Sequence, residues 1–153
     1  MAWLKDGCVL WLQFDEEKGD VAYDQSGKGN NGDIHGATRV KGKIGGALSF
    51  DGVDDYVRTP SINVGSNFSV FGWVKLVGTQ KSYPILAANK NSGGTANGWS
   101  VWVKATQLKW ESGNGTNGEC IGSTGFSDIT GTFAHTGFVY KDGVIYFYLN
   151  GES

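Results

Sequence analysis

The fold is decided by one stretch of the chain, Gly45-Gly46-Ala47-Leu48-Ser49-Phe50-Asp51-Gly52-Val53-Asp54-Asp55-Tyr56-Val57. Its first half alternates large and small side chains, as a strand with one buried face does, and an extended run resumes at Tyr56. The Asp-Gly pair between the two runs is a turn signal. The stretch therefore predicts two strands around a tight corner, where three carboxylates come together: Asp51, Asp54 and Asp55.

The composition limits what kind of protein this is. A length of 153 residues predicts a single domain, over residues 1–153, with a sizeable core. The 25 glycines, 2 prolines and 13% aromatic residues are typical of short strands and glycine-rich turns. Thirteen basic and fifteen acidic residues give a net charge of −2, so the chain has no basic surface for nucleic acid or anionic lipid. We exclude both as primary partners.

Hydrophobic alternation predicts strands along most of the chain. The clearest run covers residues 67–77, where every second residue from Phe68 to Leu76 is apolar or glycine. Other strands are predicted over 9–14, 84–89, 98–104, 107–112, 134–140 and 144–149. Asp142-Gly143 is a strong hairpin signal, because type I′ turns need positive φ at both central residues. The fold class predicted from these patterns is all-β, an antiparallel β-sandwich.

Several motifs carry a family resemblance. Besides the opening stretch they are Leu-Trp-Leu-Gln-Phe-Asp-Glu at 10–16, the glycine-rich loop 23–32, Asn-Phe-Ser-Val-Phe-Gly-Trp-Val-Lys at 67–75, and the hairpin 133–151. In this order they resemble a laminin-G-like domain of the concanavalin A-like lectin/glucanase superfamily. The resemblance implies a jelly-roll β-sandwich and a lectin-like, carbohydrate-binding or adhesion role.

The C-terminal end of the chain is short by comparison with that family. The resemblance implies closing strands after Asn150-Gly151, whereas the sequence stops at Ser153. We therefore expect an open strand edge that could pair with another copy, giving a homo-oligomer. A truncation, a shorter variant and strand exchange are the alternatives.

The sequence also bears on location. The apolar runs are too short to insert into a membrane, and the first residues lack a signal-peptide pattern. We expect an extracellular or cell-surface location as part of a larger protein or, alternatively, in a virion. Cys8 and Cys120 are the two cysteines, and they are interpreted either as a disulfide or as two buried thiols.

Catalysis is not predicted. Glycan hydrolases need two carboxylates about 5–10 Å apart across the scissile bond. In the related glucanases these lie in an alternating Glu-x-Asp-x-Glu run, and none exists here. Asp54 and Asp55 are adjacent, so on a strand they would point to opposite faces.

Calcium is the metal that the sequence favours. Ca²⁺ takes six to eight oxygen ligands from carboxylates, amides and backbone carbonyls of flexible loops. The predicted ligands are Asp24, Asn30, Asp51, Asp54 and Asp55, and the resemblance implies calcium in many relatives. In the alternative interpretation Asp24 ties its own turn, and Asp51 and Asp54 cap the corner.

Glycan binding needs an exposed aromatic ring to stack on a pyranose, flanked by groups that bond its hydroxyls. The predicted ring platform is Trp102 and Trp110, with Tyr83, Glu111 and Asn114 beside it. Packing of these rings is the alternative, and we assign Trp11 and Trp73 to packing.

The function predicted from the sequence is non-catalytic recognition of a glycan or a protein surface, with calcium as a possible stabiliser. The alternative is a structural subunit of a virion or filament, assembled through strand edges or sandwich contacts.

Overall fold

The computed structural model describes residues 6–78, 84–89, 97–114, 116–124 and 126–153. Within these ranges the chain forms antiparallel sheets joined by turns and loops, and it contains no helix. The chain divides into two compact units, Met1–Val64 and Gly65–Ser153, here named the N-terminal unit and the C-terminal unit. The predicted all-β fold class is confirmed.

The N-terminal unit contains five short strands. They are β1 (Val21–Ala22), β2 (Gly32–His35), β3 (Thr38–Lys41), β4 (Gly46–Ser49) and β5 (Tyr56–Arg58). One sheet has the order β1-β2-β5, and β3 pairs with β4 in a separate hairpin. The two strands predicted from the opening stretch, β4 and β5, are thus present but belong to different sheets.

The prediction of a strand over residues 9–14 is wrong. This segment forms a single bridge, Leu12 with Asp24, because side chains take the backbone groups that a ladder would use. Asn30 Nδ2 donates to the Val9 carbonyl at 2.8 Å, and the Trp11 N–H donates to Asp24 Oδ1 at 2.9 Å. Phe14 then leaves the extended conformation with a φ of 61°.

The C-terminal unit contains longer strands. They are β6 (Phe68–Lys75), β7 (Ile85–Ala88), β8 (Gly98–Lys104), β9 (Gln107–Gly113), β10 (Gly118–Thr124), β11 (Phe133–Lys141) and β12 (Val144–Leu149). A four-stranded sheet has the order β10-β9-β8-β7, and a three-stranded sheet has the order β12-β11-β6. All pairs are antiparallel.

One hydrophobic cluster joins the two sheets of the C-terminal unit, as in a β-sandwich. The four-stranded sheet contributes buried residues such as Val101 and Leu108, and the three-stranded sheet contributes Ala134 and Phe138. The period-2 alternation predicted for β6 is confirmed, since its burial alternates residue by residue. Inward and outward faces of each strand can therefore be assigned from the register.

The turn of the β11–β12 hairpin follows the expected chemistry, whereas the strand after β9 was not predicted. Asp142 and Gly143 have φ values of 51° and 81°, as the type I′ prediction required. The strand predicted over 107–112 is present as β9, which continues to Gly113, and β10 pairs back along its whole length. β10 was missed because its glycines and polar residues give weak alternation.

Candidate functional site

Three carboxylates meet at the corner before β5, as predicted. One ligand oxygen from each of Asp51, Asp54 and Asp55 lies within 4.8 Å of the others, and the first two residues are exposed. Gly52, with a φ of 78°, allows the sharp turn that brings them together. Within the described residues none of the three forms an ion pair. The corner therefore gathers negative charge without a cationic partner from the described chain.

Backbone groups hold this corner in place. Asp51 Oδ1 accepts the Val53 N–H at 2.8 Å, and Asp55 Oδ2 accepts the Asp51 N–H at 2.8 Å. The other oxygen of Asp55 lies against Gly36, which has a φ of 76° and no room for a Cβ atom. The capping role weighed for Asp51 is therefore present, and the backbone bonds of the corner use one oxygen of Asp51 and one of Asp55.

Asp24 does not join the corner in one ligand set, which corrects the five-residue calcium prediction. Its Oδ1 accepts the N–H groups of Trp11 and Ser26, each at 2.9 Å. Its Oδ2 accepts the Ser26 hydroxyl at 2.7 Å and the Asn30 N–H at 2.9 Å. Four donors occupy the four lone-pair directions of the carboxylate, so Asp24 ties its own loop, as the alternative interpretation stated.

The same contacts set the ionisation of Asp24. Desolvation by burial raises its pKa, but the hydrogen bonds from Ser26, Trp11 and Asn30 together outweigh this and lower the pKa to about 2. Asn30 is also committed to the loop, because its amide donates to the Val9 carbonyl. The loop from Asp24 to Asn30 is thus a structural anchor of the N-terminal unit.

The outer face of the four-stranded sheet gathers two of the predicted glycan residues. Trp102 is half-buried, and its Nε1 donates to Ser100 Oγ at 2.8 Å. Ser100 is buried, pairs with Glu111 in the register, and its hydroxyl lies 3.4 Å from Glu111 Oε2. Lys109 pairs with Trp102 on the same face. These residues, Ser100, Trp102, Lys109 and Glu111, are named the Trp102 face.

Trp110 is not part of that face, and its predicted role as an exposed platform is wrong. It is 3% exposed and lies in the hydrophobic cluster. Its ring stacks between Trp99, at a centroid distance of 5.7 Å, and Tyr140, at 5.3 Å, with interplanar angles of 10° and 8°. The physical reason is strand alternation, since Trp110 pairs with inward-facing Val101.

The remaining predicted glycan residues do not join the Trp102 face. Asn114 Oδ1 accepts the N–H groups of Thr116 and Asn117 at 3.1 and 2.8 Å, so it shapes the turn between β9 and β10. Tyr83 lies outside the described residues. Cys8 is a free, half-buried cysteine, and the side chain of Cys120 lies outside the described part of the chain, so both interpretations of the two cysteines stay predictions.

The sequence reasoning overlooked a second aromatic surface, on the outer side of the three-stranded sheet. The register places these residues there, and they are named the aromatic face: Phe71, Trp73, His135, Tyr146 and Tyr148. Trp73 and Trp11 were both assigned to packing, but Trp73 is 43% exposed and Trp11 is 41% exposed. The signal was available, because Phe71 and Trp73 lie on the opposite side of β6 from the core residues.

The comparisons place the chain in a family. The model of Laminin_G_3, described as concanavalin A-like lectin/glucanases superfamily, matches residues 51–153. The matched part includes the acidic corner, the Trp102 face and the aromatic face. The chain belongs to this family, whose domains are generally binding modules. The comparisons with curated proteins and with solved structures give no significant match. No helix among the described residues is long and apolar enough to cross a membrane.

Proposed function

We propose that the chain is a non-catalytic recognition module that binds a glycan on the Trp102 face. The observation that carries this proposal is the half-buried indole of Trp102, fixed by its hydrogen bond to Ser100 beside the carboxylate of Glu111. An indole gives a pyranose an apolar surface on which to stack, and a neighbouring carboxylate accepts hydrogen bonds from the hydroxyl groups of the sugar.

Preorganisation supports this role. The 2.8 Å bond from Trp102 Nε1 to Ser100 holds the ring in one orientation before any ligand arrives. Rigid aromatic side chains lose little conformational entropy on binding, so more of the contact energy appears as affinity. Since Ser100 is buried, its hydroxyl serves the ring and Glu111 instead of solvent.

The surroundings favour a flat ligand. The register aligns Ile85, Trp102, Lys109 and Gly122 in one row across the four strands. Gly122 adds no side chain at one end of the row, and Ile85 is 53% exposed at the other. The row is a shallow surface with an apolar half and a charged half, which suits the two kinds of surface that a sugar ring presents.

The same face argues for recognition without hydrolysis. Among the described residues that the register places on it, Glu111 is the single carboxylate. Glycoside hydrolysis generally needs a pair, one acid and one base or nucleophile. The Trp102 face offers the groups for binding a sugar and lacks the pair for cleaving one.

Calcium is proposed as a stabiliser of the acidic corner and not as a reactant. The donors of Asp51, Asp54 and Asp55 are hard carboxylate oxygens, and they lie within 4.8 Å of one another. Three like charges at this range repel one another, and a divalent cation would relieve that repulsion. Backbone bonds already orient two of the carboxylates, so binding would order little additional chain.

The glycan proposal is tested by titrating the full chain with soluble cello-, chito-, manno- and galacto-oligosaccharides in a calorimeter. Trp102→Ala should weaken the observed affinity about tenfold, and Trp102→Phe should weaken it less, because a ring remains although its bond to Ser100 is lost. Ile44→Ala, at an exposed aliphatic side chain outside this row, is the control for general loss of apolar surface. An affinity unchanged in Trp102→Ala, or no binding of any of the four series, would contradict the proposal.

The calcium proposal is tested separately by thermal unfolding of metal-stripped protein with and without Ca²⁺. A ligand at a hundredfold excess over its dissociation constant stabilises the folded state by about 2.7 kcal/mol, which moves the midpoint by several degrees. Asp54→Asn should abolish the shift, whereas Asp33→Asn, in strand β2, should leave it intact. An equal shift in Asp54→Asn would exclude the corner as the site.

A further inference from the structure

The aromatic face is an array of rings arranged by strand register. Phe71, Gly137 and Tyr148 form one cross-strand row, and Trp73 with His135 forms the next. Tyr146 lies beyond Phe71's row, opposite Val139. Three of these rings are about half exposed, Phe71 at 51%, Tyr146 at 45% and Trp73 at 43%. Exposed aromatic side chains gathered on one face indicate a binding surface.

Gly137 lets the Phe71 ring of this face lie close to the sheet. The ring of Phe71 lies so close over it that a Cβ atom at residue 137 would overlap ring atoms. A glycine in the central strand therefore lets an aromatic ring from the neighbouring strand lie on the sheet instead of standing away from it. Gly137 is itself buried beneath that ring.

The neighbouring rings continue the surface. His135 lies 5.9 Å from Phe71, centroid to centroid, with the two planes only 10° apart. Trp73 is 5.2 Å from His135 with the two planes 56° apart, and Tyr148 is 6.3 Å from Phe71 with the two planes 44° apart. The four rings thus form a continuous path over all three strands, and the hydroxyl groups of the tyrosines supply polar tips.

We propose that the aromatic face is a second glycan-binding surface, which takes successive sugar units of an extended β-linked polysaccharide chain. This inference deepens the proposed function by naming the form of ligand, but it depends on different residues on the other sheet. In such a chain each sugar presents its C–H face, and adjacent rings of the path stack on adjacent units. The Trp102 face, with one ring and charged neighbours, suits a single sugar.

The shape of the face favours a polysaccharide over a protein. Protein interfaces draw their affinity from side chains that fill pockets at the centre of the contact. Here Phe71 covers the centre of the sheet, over Gly137, so the surface has no recess at that point. Aliphatic residues on this face are limited, within the described chain, to Val139 and Val144 on the side away from Trp73.

The test is depletion of the full chain from solution by particles of cellulose, chitin and insoluble β-1,3-glucan. Trp73→Ala and Tyr146→Ala should each reduce the bound fraction at limiting particle concentration, with affinity about tenfold weaker for each. The decisive variant is Trp73→Leu, which keeps apolar bulk but removes the ring. Trp73→Leu should bind as weakly as Trp73→Ala does, because stacking on a sugar needs an aromatic ring at this position. Val144→Ala, exposed on the same sheet, is the matched control.

Other results would overturn the inference. Binding to none of the particles contradicts it, and so does full binding by Trp73→Leu, which would make the face a general apolar docking surface. Concentration-dependent dimers that Trp73→Ala abolishes would assign the face to a second copy of the chain. Trp102→Ala separates the two proposals, since it should weaken binding of soluble oligosaccharides while leaving most particle binding intact.

Discussion

Each of the two units of the chain is stabilised internally by a different kind of interaction. In the N-terminal unit the strands have two to four residues, and its buried hydrophobic side chains among the described residues are Ala22 and Ile34. In the C-terminal unit the strands have four to nine residues and enclose a cluster of aromatic and aliphatic side chains. One unit depends on polar side chains bound to backbone, and the other on ladders and packing.

Two side chains show how polar groups stabilise the N-terminal unit. Asp24 collects four donors from its own loop and from residue 11. Arg39 donates to the carbonyls of Gly19 and Val21, at 3.2 and 2.9 Å, and pairs with Glu16 at 3.1 Å. Charge-assisted hydrogen bonds of this kind replace the buried area that such short strands lack.

The C-terminal unit relies on its rings. Phe68, Trp99, Trp110 and Tyr140 form a connected set of ring contacts, and Phe138 meets Phe147 edge-on at 5.5 Å. Both candidate glycan faces lie on the outside of this rigid sandwich. This difference between the two units favours the C-terminal unit as the place of the proposed recognition, because rigid strands hold binding groups more accurately than loops do.

The largest effect is expected from the C-terminal core. Phe138 is 1% exposed, so Phe138→Ala should destabilise this unit by about 3–5 kcal/mol through lost contacts and a cavity. Denaturant unfolding followed by tryptophan fluorescence measures this. Val144→Ala, on an exposed site of the next strand, should change stability by less than about 0.5 kcal/mol. Equal effects of the two variants would mean that the cluster does not hold the unit.

A smaller but local effect is expected in the N-terminal unit. Asp24→Ala removes the acceptor of four hydrogen bonds and should cost about 2–3 kcal/mol, because water can satisfy some of the released donors. Hydrogen exchange should show faster amides at Trp11, Ser26 and Asn30. Asp128→Ala is the matched control, since that exposed aspartate accepts its hydrogen bonds from its neighbour Thr130. Unchanged exchange at the three amides would contradict the anchor role of Asp24.

The smallest effect is a pH dependence confined to the N-terminal unit. The pKa of Asp24 is lowered to about 2, so its contribution is fully present above about pH 4 and is lost as the pH falls toward 2. For a partly exposed carboxylate the loss should be about 1–2 kcal/mol. Hydrogen exchange at Asn30 between pH 4 and pH 2, corrected for intrinsic rates and compared with Asp24→Ala, checks this. An identical profile in the variant would remove Asp24 as the cause.

The same contrast explains what the sequence predicted well. Strands β6, β8, β11 and β12 were predicted to within about one or two residues at each end, because alternation reports directly on a sheet with one buried face. The Asp142-Gly143 turn was correct because its chemistry is local. The acidic corner was also found, since its carboxylates are close in sequence.

The failures share a cause as well. The segment 9–14 reads as a strand, but its backbone is bound by Asp24 and Asn30, which no periodicity reveals. Trp110 was misplaced because its face depends on a register with Val101 that is set across the sheet. The aromatic face depends on the pairing of β6 with the β11–β12 hairpin, which follows much later in the chain, so the rings of β6 and those of the hairpin look unrelated along the sequence.

The most direct test of the account is an NMR titration of the ¹⁵N-labelled full chain with the same cello-, chito-, manno- and galacto-oligosaccharides. The indole N–H of Trp102, held by Ser100, gives one of six separate tryptophan side-chain signals. We predict that this signal and the amides around Glu111 shift on binding, while residues 6–64 stay unchanged. Shifts confined to the loop at Asp24 or the corner at Asp51–Asp55 would place recognition in the N-terminal unit and contradict the account.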